Sequence, residues 1–76
     1  MTALQLIAFL NVLTFGDLDA LAAKLARAEE AARELGHDDI ASIVAEARAA
    51  LRSGDTRTYR KKVETAVSRL GHVKNA

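Results

Sequence analysis

His37 and His72 are the only imidazoles in the chain, and cysteine is absent. His37 is followed by Asp38 and Asp39, which brings nitrogen and oxygen donors together in one short stretch. A zinc site needs further nitrogen or sulfur ligands at close spacing. No second histidine stands near, and both aspartates sit where a helix start needs them. No metal and no cofactor is therefore expected. Ser42, Ser53 and Ser68 have no histidine and acid arranged around them in a motif of nucleophilic catalysis. Ser53 falls in a turn, where serine is ordinary. Tyr59 falls on an apolar stripe, so its ring is expected in the core with the hydroxyl at the edge. These groups do not suggest an enzyme.

The remaining chemistry is cationic. Arg57, Arg60, Lys61 and Lys62 cluster near the start of the last predicted helix. Residues 46–70 have the look of a helix–turn–helix, with Ala50, Gly54 and Val63 at workable spacings. Arg60, however, stands where an apolar anchor is usual. Gly54 to Val67 also resembles half of a tetratricopeptide unit, opening on Gly54 and Asp55 and closing near Ala66 and Val67. Half a unit does not build a solenoid, so an ordinary helical hairpin accounts for both patterns. Charge is unevenly divided. Residues 1–51 hold four bases against eight acids, a net of −4, and residues 52–76 hold seven bases against two acids, a net of +5. Uninterrupted bases favour phosphate tracking, but Glu64 lies among these. A small nucleic-acid-binding regulator using Arg57, Arg60, Lys61 and Lys62 is thus the second functional expectation.

The elements that must position these groups are helices. Half the residues are apolar, proline is absent and only four glycines occur, a helix-forming composition. Glycine and aspartate punctuate the chain. Gly16 and Asp17, Gly36 and Asp38, and Gly54 and Asp55 each end one helix and start the next, and Gly71 closes the last. The spacing predicts helices at about 3–15, 18–35, 39–52 and 56–70, with 72–76 as a tail, all in one domain over 1–76. Leu18, Leu21, Leu25, Ala28, Ala32 and Leu35 form a seam alternating three and four apart. Ile40, Ile43, Val44, Ala47 and Leu51 share a face, as do Tyr59, Val63, Ala66, Val67 and Leu70. Glu29 and Arg33 stand four apart with the favourable polarity.

The first segment differs. Thr2 to Gly16 carries no charge, and its leucines, isoleucine, valine and phenylalanines point in nearly every direction around a helix. About 13 apolar-rich residues are too few to span a bilayer, and no basic stretch precedes them as in a secretory signal. Such a helix must be surrounded. The expected architecture is an all-α bundle of about four short helices, with the apolar first helix enclosed by three amphipathic ones. The expected function is a non-catalytic protein–protein interaction or regulatory module in the cytoplasm, homodimeric or bound to a protein partner. The expected interaction face is Leu6, Phe9, Leu10 and Leu13.

Overall fold

The computed structural model describes residues 2–11 and 18–75. Four α-helices follow in order: α1 (Ala3–Asn11), α2 (Leu18–Glu34), α3 (Asp38–Arg52) and α4 (Thr56–Asn75). No strand occurs among the described residues. Residues 12–15 of the first predicted helix, with Gly16 and Asp17, lie outside the described residues.

Local chemistry sets the helix ends. Thr2 and Gln5 form a reciprocal cap on α1. The Gln5 backbone N–H donates to Thr2 Oγ1 at 3.1 Å, and the Thr2 N–H donates to Gln5 Oε1 at 2.9 Å. Gly36 and Gly54 both take φ +82, the left-handed geometry that a Cβ disfavours. Each closes its helix with a paired backbone motif. His37 N–H donates to the Ala32 carbonyl and Gly36 N–H to Arg33, and likewise Asp55 donates to Ala50 and Gly54 to Leu51. Asp55 then caps α4, its Oδ1 accepting the Thr58 backbone N–H at 3.0 Å and its Oδ2 the Thr58 hydroxyl at 2.6 Å.

Two expected boundaries are corrected. Asp38 does not cap α3. His37 occupies the cap position without a side-chain hydrogen bond, and Asp38 and Asp39 lie in the first turn, where their charge favours the positive helix end. Gly71 does not close α4. The helix runs through it to Asn75, because glycine is tolerated in a helix at modest cost when the flanking residues pack or bond in helical register.

The helices form a ring. α1 packs on α2 and α4, and α3 packs on α2 and α4 from the opposite side. Among the described residues no Cα of α1 comes within 8 Å of α3, and none of α2 within 8 Å of α4. The first helix is thus held between two helices rather than three. The core contains Leu6 and Leu10 of α1 and Leu21, Leu25, Ala28 and Ala32 of α2. It also contains Ile40, Val44, Ala47 and Leu51 of α3, and Tyr59, Ala66 and Leu70 of α4. The Leu-to-Ala change along α2 puts small side chains on the inner wall, where another helix approaches closely. The Cα radius of gyration, 11.2 Å, matches the ~11 Å expected for a compact chain of this size.

Candidate interaction surfaces

Three features stand out: the apolar first helix, the cations of α4, and a buried carboxylate between α2 and α3. On α1, Leu6 is 0% and Leu10 is 1% exposed. Ala3, Ile7 and Phe9 are partly buried against the same core. Ala3, Leu6, Ile7 and Leu10 stand at i, i+3, i+4 and i+7, one face of a helix. The opposite side presents Leu4, Gln5 and Ala8 to solvent, and Leu4 is 57% exposed.

Of the expected interaction face, two residues are buried within the single chain. Leu6 and Leu10 fill the chain's own core and offer no surface, because the helical period turns them toward α2 and α4. Phe9 is half-buried, and Leu13 lies outside the described residues. Leu4 is not distinguishable as outward-facing from the sequence pattern, since apolar side chains point in nearly every direction around this helix.

The cations of α4 are sorted by the fold. Lys62 pairs with Glu46 of α3 at 2.8 Å, and Arg69 pairs with Asp39 of α3 at 3.5 Å. Both stand on the flank that packs against α3. Arg57, Arg60 and Lys61 are exposed, are in no ion pair among the described residues, and line a shallow depression with Thr56 and Glu64. Lys62 is therefore removed from the expected cationic group, because its ammonium is engaged in holding two helices together. The depression has no apolar wall residue. At the start of the same helix, hydrogen bonds from the Thr58 hydroxyl and backbone N–H hold the Asp55 pKa below the usual value.

Glu29 is the one buried charged residue among those described, at 6% exposure. Its Oε1 lies 2.7 Å from Arg33 Nη2 on the next turn, and its Oε2 lies 3.1 Å from Arg48 Nη2 on α3. The carboxylate thus spends both oxygens, one within α2 and one across to α3. Each oxygen has a guanidinium partner, so the carboxylate's charge is compensated where it is buried and it bridges α2 to α3. The i,i+4 pair was legible in the sequence. Arg48 was not, because its approach depends on how α3 lies against α2.

Tyr59 is buried, and that burial raises its phenol pKa. His37 lies immediately before α3, and His72 lies near the end of α4. No group of three or more histidine, aspartate or glutamate side chains among the described residues is arranged to hold a metal ion. No helix among them is long and apolar enough to cross a membrane. No family model, curated protein or solved structure matches this chain.

Proposed function

We propose that this protein is a small, non-catalytic protein–protein interaction module that associates with a second copy of itself in the cytoplasm, with α1 as the docking element. The observation that carries this is the character of α1. It has no charged residue, so it enters no ion pair with another helix. Its described side chains pack on the core through Ala3, Leu6, Ile7, Phe9 and Leu10, and it still leaves Leu4 in solvent. A twofold interface brings each residue close to its own copy, so charge there is self-repelling. α1 meets that requirement, whereas the charged outer surfaces of α2 and α4 do not. Sedimentation velocity over a wide concentration range tests the proposal, together with thermal melts. Linkage makes the Tm of a folded dimer rise with concentration. A monomer at every concentration with a constant Tm refutes it.

A second reading is favoured by the sorting of the α4 cations. Arg57, Arg60 and Lys61 form an exposed group that enters no ion pair among the described residues, and the depression they line with Thr56 and Glu64 has no apolar anchor residue. Protein interfaces depend on buried aromatic or aliphatic anchors, whereas phosphate backbones are bound by charge alone. The group therefore suits a nucleic-acid backbone better than a protein. Three phosphate contacts give a slope of roughly −2.7 in log affinity against log salt on duplex DNA. Fluorescence anisotropy with the triple change R57Q, R60Q and K61Q reads that slope. Absence of binding at low salt, or binding unaffected by the triple change, removes this reading.

A further inference from the structure

The fold sorts charge along the molecule. Lys62 and Glu46 lie eight residues to either side of Gly54, and Arg69 and Asp39 lie fifteen, so α3 and α4 run antiparallel about that turn. Glu29 reaches Arg48 in the same antiparallel sense across the turn at Gly36. The start of α2, the end of α3 and the start of α4 therefore lie together at one end. Lys24 and Arg27 of α2, Arg52 of α3, and Arg57, Arg60 and Lys61 of α4 are exposed there. None of them enters an ion pair among the described residues. At 1.5 Å of rise per residue, all six stand within about 10 Å of the level of Gly54. The described acids in that span that enter no ion pair are Asp19, Glu30 and Asp55, and Asp55 is engaged by Thr58. Glu34 and Asp38 are exposed at the opposite end. Three of the six cations thus come from residues 1–51, the half of the chain whose net charge is −4.

We propose that this end is one surface for the phosphate backbone of a nucleic-acid duplex, built jointly by α2, α3 and α4. This deepens the nucleic-acid reading above, which used the three cations of α4 alone, and rests on it. The occupant follows from three observations. The molecule is 19 Å across, and that length of duplex carries roughly eleven phosphate charges at one per ~1.7 Å, about half of them on the near side. Six cations match that number. Single strands are held largely by stacking on aromatic rings, but Tyr59 is buried, Phe9 is half-buried and tryptophan is absent. Interfacial membrane binding couples bases to inserted apolar side chains, but the one large apolar side chain exposed among the described residues, Leu4, belongs to α1 and not to the helices that carry the cations.

Fluorescence anisotropy of the full chain with a labelled duplex, over a salt series, tests the proposal. Six contacts give a slope of roughly −5.4 in log affinity against log salt, a loss of roughly a thousandfold between 50 and 200 mM. Changing Lys24, Arg27 and Arg52 together to Gln is expected to bring the slope to about −2.7, and each change alone lowers its magnitude by about 0.9. The helical circular dichroism stays that of wild type, since these exposed side chains hold no other helix by an ion pair. A wild-type slope near −2.7 that the three changes leave unaltered overturns the joint surface while leaving the α4 reading intact. Absence of binding at low salt overturns both. Tighter binding at equal salt to a single strand of the same sequence, or to phosphatidylserine vesicles, overturns the assignment of a duplex.

Discussion

Replacing Gly71 by alanine tests the course of α4 more sharply than any core truncation, because two readings predict opposite signs. Gly71 lies inside α4 with four helical residues after it, and its φ is not in the left-handed region that Gly36 and Gly54 occupy. A Cβ built on it meets nothing within 4 Å. Alanine there has no steric cost, and it removes backbone freedom from the unfolded chain. A glycine-to-alanine change inside a helix stabilises by ~0.5–1 kcal/mol. The position is near the helix end, where fraying reduces the effect, so about 0.5 kcal/mol is expected. A chain of 76 residues unfolds with an entropy near 160 cal/mol/K at ~2.1 per residue, so this corresponds to roughly +3 °C in Tm. Gly36→Ala and Gly54→Ala are the controls. Both sites are equally open to a Cβ, but their φ of +82 makes alanine strained, and each change lowers Tm by several degrees, about 1 kcal/mol in stability. Circular dichroism melts at one fixed protein concentration read all three, since association itself moves Tm. A fall in Tm for Gly71→Ala comparable to the controls would mean that α4 stops at Gly71, and the account of α4 given above fails.

Glu29→Ala leaves Arg48 half-buried without its carboxylate, and the urea midpoint should fall by an amount equivalent to about 1.5–3 kcal/mol, the range for hydrogen bonds to charged groups. If Arg48→Ala in the Glu29→Ala background costs as much again, the two side chains are not coupled. Asp55 has a folded pKa held below its ordinary 3.8, so its contribution to stability is fully present above that value and is lost as pH falls through the folded pKa. The Tm gap between wild type and Asp55→Ala should thus be constant near neutrality and close below about pH 4. A gap unchanged down to pH 2 would exclude the carboxylate as the cap. Tyr59 is the only tyrosine, and its folded pKa lies above 10.0 because burial disfavours the phenolate. Its contribution is complete below pH 10 and disappears as pH rises through the folded pKa. Absorbance near 295 nm should titrate with a midpoint above 10 in buffer and near 10 in denaturant, and coincident midpoints would place the ring in water.

The sequence determined the helices because its signals are local. Glycine at 36 and 54 and aspartate at 55 act within one turn of chain, through left-handed φ and a carboxylate cap, so neighbouring residues suffice to read them. The seam of α2 and the faces of α3 and α4 were legible for a similar reason, since a 3.6-residue period needs no partner to be visible. Gly71 and Asp38 were misread because the same residue types serve at a cap or inside a first or last turn. Hydrogen-bonded register over the whole helix decides which, and that register is set by packing. Tertiary structure alone decided the rest. α1 is apolar on every side, so no periodicity identifies its inner stripe. Its seat between α2 and α4 turned Leu6 and Leu10 inward and left Leu4 in water. The α4 cations look alike in sequence, yet contact with α3 engaged Lys62 and Arg69 and left Arg57, Arg60 and Lys61 exposed. Orientation about a helix axis and partnership across helices are properties of pairs of elements, and a single chain's local pattern does not contain them.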